Sequence, residues 1–191
     1  MQPTTISAFL SLLGLTSAVP LSARDDSAGC TDASFHNMVW TVEDFDFHAS
    51  YIFTTPAHQN SWGYASFNLT NPALPYKTSC SAASSQLSDF FYGNQVFTCT
   101  LPEGETGSSA TFNYSRPAGT LSLVQKWTCA DQDPQYPITF GAVGNTTLDL
   151  QCTDETWQNP DWSSGQIYSS RTVTCDKVTT TVTPSEITAI A

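Results

Sequence analysis

Asp44, Asp46 and His48 alternate along an apolar stretch that carries Val39 to Val42, Phe45 and Phe47. On an extended chain all three point the same way. Two carboxylates and an imidazole on one face could hold a cation or pass a proton, with His58 as a fourth candidate. The same spacing also describes a solvated strand face opposite two core phenylalanines. Metal sites draw ligands and supporting partners from several elements, so no metal ligand is assigned. Glycoside hydrolysis needs two carboxyl groups about 5 to 9.5 Å apart across a cleft. Asp154 and Glu155 are neighbours that diverge when extended, and Asp131 with Asp133, and Glu103 with Glu105, fall in turn-like segments. A serine hydrolase would place Gly-x-Ser-x-Gly on a strand-to-helix turn, and Ser163-Ser164-Gly165 has no such setting. No residue is given a catalytic role, and no cofactor is called for.

The tryptophans offer a different chemistry. Indole rings stack on sugars and on partner surfaces, and exposed aromatics in a polar loop suit that use. Trp157 and Trp162 lie in such a loop and are the candidate binding residues. Trp40 and Trp127 sit among apolar neighbours and read as core.

These groups must be positioned by strands. In Trp62 to Leu69, the residues Gly63, Ala65, Phe67 and Leu69 share one face, with Trp62, Tyr64, Ser66 and Asn68 on the other. That period of two marks a half-buried strand. Further runs are Gln95 to Leu101, Ala110 to Tyr114, Thr120 to Cys129, Ile138 to Val143, Thr146 to Cys152 and Gln166 to Cys175. Turn residues divide them, as at Gly93-Asn94, Pro117 to Gly119 and Gly144-Asn145. Short strands with Pro and Gly between them predict a compact all-β protein, an antiparallel barrel or sandwich. Only Ser81 to Asp89 could form a helical turn or two. Residues 178–191 are Thr-rich with little to bury, and they read as a flexible tail.

Composition narrows the setting. The chain has 191 residues, 6 Lys and Arg, 17 Asp and Glu, and a net charge of -11. Such a surface repels phosphate backbones and anionic lipid, so nucleic acid and membrane are poor partners. Residues 1–18 read as a secretory signal: the apolar stretch Ile6 to Leu15 is too short to span a bilayer, and Thr16-Ser17-Ala18 offers small residues for cleavage. Residues 19–24 resemble a short pro-segment ending at Arg24, which leaves 25–177 as the folded domain. Cys30, Cys80, Cys99, Cys129, Cys152 and Cys175 then predict disulfides in an oxidising compartment. Spacing alone leaves all 15 pairings open. Asn68, Asn113 and Asn145 each begin a glycosylation sequon.

Several short pieces occur in a telling order: Val39-Trp40-x-Val42-x-x-Phe45, Ser61-x-Gly63-Tyr64-x-x-Phe67, Cys80-Ser81-Ala82, Phe97-Thr98-Cys99, Phe112-x-Tyr114, Leu121-x-Leu123-x-Gln125 and Ile138-Thr139-Phe140. Together with the leader residues Met1-Gln2, Thr4-Thr5 and Pro20-Leu21, this order resembles the major-allergen family of Alternaria, small exported proteins of filamentous fungi. The resemblance implies a compact β-barrel with no established catalytic centre, and the pairs Cys80–Cys99 and Cys152–Cys175. Members of that family can use the cysteine matching Cys30 to join two chains. Cys129 is additional here, so an intrachain Cys30–Cys129 bond is expected, and the protein is a monomer or a dimer. The segment Asp154 to Ser170 is longer than is usual in the family.

The resemblance further implies an extracellular or wall-associated fungal protein that acts as an effector or elicitor towards plants. Some relatives bind thaumatin-like plant defence proteins, and some bind small aromatic ligands. The expected function is therefore non-enzymatic binding by a secreted protein. The alternative is a carbohydrate-active protein, either a module that binds wall polysaccharide or a glycoside hydrolase.

Overall fold

The computed structural model describes residues 29–191. The expected signal and pro-segment lie outside the described residues. Among the described residues a helix, α1 (Cys30–His36), precedes eleven strands: β1 (Trp40–Thr55), β2 (His58–Thr70), β3 (Lys77–Ser84), β4 (Phe97–Thr98), β5 (Ser109–Ser115), β6 (Thr120–Cys129), β7 (Ile138–Thr147), β8 (Cys152–Gln158), β9 (Ser169–Cys175), β10 (Val178–Val182) and β11 (Glu186–Ile190). The first sheet runs β3-β2-β1-β9-β8, with β10 also paired to β1. The second runs β11-β7-β6-β5-β4. Every pairing is antiparallel.

The long strand β1 carries the first sheet. Trp40 and Val42 are buried, and so are Phe45, Phe47, Ala49 and Tyr51. The two sets differ in parity, and a strict alternation would send one of them to solvent. A β-bulge between Val42 and Phe45 resolves the conflict. Asp44 is its extra residue, at φ 53, with its N–H donated to Thr179 Oγ1 at 3.1 Å. Asp tolerates this left-handed backbone better than most residues.

Between the sheets lies an aromatic core. Phe45 packs on Phe67 and Tyr114, Phe67 on Phe112, and Trp127 is stacked on Phe140. Trp40 and Trp127 are fully buried. Burial pushes the Tyr114 phenol up to about 12, against a smaller opposing effect of the Arg116 charge.

Of the expected barrel or sandwich, the sandwich is what forms. The hydrogen-bonded ladders make two separate sheets, a sandwich, stitched at their margins. At one margin Ser79 and Thr100 exchange backbone hydrogen bonds of 3.0 and 2.7 Å, beside the Cys80–Cys99 disulfide. Cys30–Cys129 ties α1 to the end of β6, and Cys152–Cys175 ties β8 to β9.

The C-terminal segment also departs from expectation. Residues 178–191 are not a loose tail but supply a strand to each sheet. Thr and Val are good strand formers, and Val182 is buried opposite Trp40. The chain crosses from β10 to β11 at residues 183–185, where Ser185 N–H donates to the Val143 carbonyl at 2.8 Å. Gly144 permits the crossing, since a Cβ there would come within 3.1 Å of the Trp40 ring and 3.2 Å of Pro184.

Three further segments differ. Ser81 to Asp89 is the end of β3 and a loop, not helix. β7 runs through Gly144-Asn145, which reads as a turn, and residues 148–151 form a loop where a strand is expected. The helix α1 is stabilised from afar: the Asp131 carboxylate accepts from Thr31 N–H at 3.2 Å and from Thr31 Oγ1 at 2.6 Å.

Candidate binding surface

The outer face of the first sheet is set by register. Pairing aligns Trp157 with Ser170, Ile52 and Asn60 across β8, β9, β1 and β2. The next row on this face is Glu155, Thr172, Ser50 and Trp62, and the third is Thr153, Thr174, His48 and Tyr64. Trp62 and Trp157 are each 51% exposed and Tyr64 is 41% exposed. His48 stacks on Tyr64 with ring centres 5.1 Å apart and planes 19° from parallel. The face thus presents flat rings separated by hydroxyl side chains.

Trp157 and Trp162 are used differently. Trp157 stands on β8 with its ring half in solvent. Trp162 is partly buried and belongs to the turn after β8: its indole N–H donates to the Gln166 carbonyl at 3.0 Å, and its ring meets Tyr168 edge to face at 5.7 Å. It holds the hairpin together. Trp62 and Tyr64 join Trp157 on the face. Their signal is the alternation in Trp62 to Leu69, which turns them away from the core.

On the inner side, charges are consumed by one another. Arg171 binds both oxygens of Asp154, with Nε at 2.9 and 2.8 Å, and its guanidinium lies 4.9 Å over the Tyr51 ring. The Arg171 hydrogen bond holds the Asp154 carboxyl below its usual range, and Asp154 raises Arg171 in turn. Arg116 lies 4.7 Å over the Phe47 ring and reaches Tyr51 Oη at 3.3 Å and Asp89 at 3.4 Å. These contacts fasten β8, β9 and the 85–93 loop to β1.

The acidic row on β1 is broken by the bulge. Asp44 leaves the line, while Asp46 and His48 remain 3.4 Å apart. Asp44 and Asp46 share a shallow polar depression with Lys177, a cation from the chain itself. Cys30, Cys129 and Asp131 also converge. The two sulfurs are bonded to each other and offer no thiolate, and Asp131 is engaged by Thr31. Of the sequon asparagines, Asn68 and Asn145 are exposed, whereas Asn113 is partly buried and donates to the Gly93 carbonyl.

The family model described as Alternaria alternata allergen 1 matches residues 42–175. The chain belongs to this allergen family. No curated protein and no solved structure matches it. The allergen-family span contains β2 to β9, most of β1, and both the Cys80–Cys99 and Cys152–Cys175 bonds. Cys30, α1, Trp40, β10 and β11 lie beyond the span, so the Cys30–Cys129 bond joins an outlying helix to the allergen-family core.

Proposed function

We propose that the protein is exported and works outside the fungal cell as a non-enzymatic binding protein, in the manner of an effector or elicitor. The observation that carries this reading is the exposed aromatic face, with Trp62, Tyr64 and Trp157 on one rigid sheet. Rings held on strands lose little conformational freedom on binding, which favours a lasting contact. Three disulfides suit an oxidising exterior. Membership of an allergen family accords with binding in place of catalysis. A thaumatin-like plant defence protein is the partner class that the family resemblance suggests. The test is capture from plant apoplastic fluid by the wild-type protein and by Trp62→Ala/Trp157→Ala. Enrichment that disappears in the double variant supports the reading, and equal capture by both sinks it.

A second reading rests on the hydroxyl rows. Ser50, Ser170, Thr172 and Thr174 lie between the rings, a hydroxyl-rich lining that suits a wall polysaccharide. Retention on insoluble chitin or β-glucan, lost in the same double variant, would favour it.

A further inference from the structure

β8 is the last strand of its sheet, and all seven of its residues are exposed. The hydrogen bonds at its two ends settle which backbone groups are free. Asn159 N–H donates to the Tyr168 carbonyl at 2.9 Å, and Asp176 N–H donates to the Gln151 carbonyl at 2.9 Å. Bonded and unbonded pairs alternate along an antiparallel ladder. Counting inward from either end gives the same answer. Thr153, Glu155 and Trp157 are bonded to β9, while Cys152, Asp154, Thr156 and Gln158 direct their N–H and C=O away from it. Among the described residues, no strand pairs with that side.

Sheet edges are usually blunted by Lys, Pro, a bulge or extreme shortness. β8 contains no Lys and no Pro, and its register with β9 runs without a shift. It is also held in place. The Cys152–Cys175 bond pins one end, Arg171 grips Asp154 in the middle, and the Trp162–Gln166 contact closes the turn beyond. A row of free donors and acceptors on a rigid template needs little ordering to accept another strand.

Charge indicates which strand. From Trp127 to Ser170 the chain has six acidic residues and no Lys, Arg or His. Glu155 and Trp157 stand side by side on the outer face of β8, and both favour a cation: the carboxylate by ion pairing, the indole by its ring face. Two copies of β8 laid edge to edge would bring like charges together, so self-pairing is disfavoured.

The geometry points to β8 as an acceptor for strand addition, taking an extended cationic polypeptide segment onto its free edge. Backbone hydrogen bonds from the Asp154, Thr156 and Gln158 row supply the attachment. Lys or Arg at alternate positions of the incoming segment lie beside Glu155 and over Trp157. This site is the sheet's edge: it shares Trp157 with the aromatic face but does not use Trp62 or Tyr64, which lie three strands away on β2.

The probe is a labelled, end-capped peptide of nine residues that alternates valine and lysine, added to the full disulfide-bonded protein. Two comparison peptides are used: one N-methylated at alternate backbone nitrogens, and one with glutamate in place of lysine. Binding is read by fluorescence anisotropy, and the site by amide exchange in NMR. The unmodified peptide slows exchange at Asp154, Thr156 and Gln158, and both comparison peptides bind at least about tenfold more weakly. Thr156→Pro removes one outward N–H without touching the bonds to β9, and it loses binding to a similar extent. Trp62→Ala binds the peptide as the wild type does, which separates the edge from the part of the face on β2. Equal binding of the N-methylated peptide would reduce the effect to charge alone and overturn strand addition. So would protection that maps away from β8, no binding at millimolar peptide, or dimerisation of the protein through β8 in place of peptide capture.

Discussion

Trp40 and Gln125 stand on opposite sheets and share a buried hydrogen bond, with the indole Nε1 donating to the side-chain Oε1 at 2.7 Å. Asn71 Nδ2 donates to the same oxygen at 2.9 Å, and Asn71 Oδ1 in turn accepts the Ala73 N–H at 2.9 Å. One acceptor therefore ties β1 to β6 and fixes the turn after β2. Gln125→Leu keeps the volume and removes the acceptor, which leaves two buried donors unpaired. Each costs about 1 to 3 kcal/mol. The change also removes the buried, unpartnered Gln125 Nε2, which offsets one of the two, so chemical denaturation should show a net loss of roughly 1 to 3 kcal/mol. An unchanged midpoint would mean that water or rearrangement satisfies both donors.

Gly63 makes room for Phe90. A Cβ at Gly63 would lie 2.5 Å from the ring Cγ, and Phe90 is itself fully buried at φ 68. The Phe90 carbonyl accepts from Ser84 Oγ at 2.5 Å, so the ring has little freedom to retreat. Gly63→Ala should cost about 1 to 3 kcal/mol, the usual range for overpacking, and should perturb the 85–93 loop. Thermal melts with near-ultraviolet circular dichroism would report both effects.

Stability should fall at both extremes of pH, for different groups. The Thr31 hydroxyl and N–H hold Asp131 below its ordinary value of 3.8, and Arg171 does the same for Asp154. A depressed folded pKa gives stability that is present above the ordinary value and is lost as pH drops through the folded one. Melting temperature should thus decline below roughly pH 4, with a shallower decline in Asp131→Asn. Tyr114 works in the opposite direction. Its folded pKa is raised from 10.0 to about 12, so its contribution is present below pH 10 and is lost as pH climbs towards 12. Tyr114→Phe should flatten the alkaline limb, and a melt series across that range would show it.

The three disulfides should open in order of access. Cys152 is exposed on the sheet edge, whereas Cys80, Cys99 and Cys129 are buried. A reductant must reach a sulfur to attack it, so mild reduction should cleave Cys152–Cys175 first and leave the fold intact. Mass mapping after partial reduction and alkylation gives the order. Cys30–Cys129 spans 99 residues, and in the loop-entropy model its loss costs about 4 to 5 kcal/mol.

The legibility of this fold in its sequence follows burial. Gly63, Ala65, Phe67 and Leu69 are readable because a half-buried strand writes a period of two. β8 writes none, because both of its sides face solvent, so its Thr and Trp residues look like loop. The bulge at Asp44 is a one-residue insertion whose only trace is the parity change between Val42 and Phe45. α1 has no side-chain cap of its own, and its stabilising carboxylate comes from Asp131, 100 residues away. Trp157 and Trp162 are alike as residue types. Only their neighbours separate them, since one has Gln166 and Tyr168 to occupy it and the other has solvent.

The strap formed by β10 and β11 alters what counts as the smallest working piece of this protein. The family match stops at Cys175, yet the chain beyond it lies alongside Trp40 in one layer and Phe140 in the other. Trimming the molecule to its recognisable portion would strip a border from each layer at once. An expression boundary drawn there would cut through the folded body.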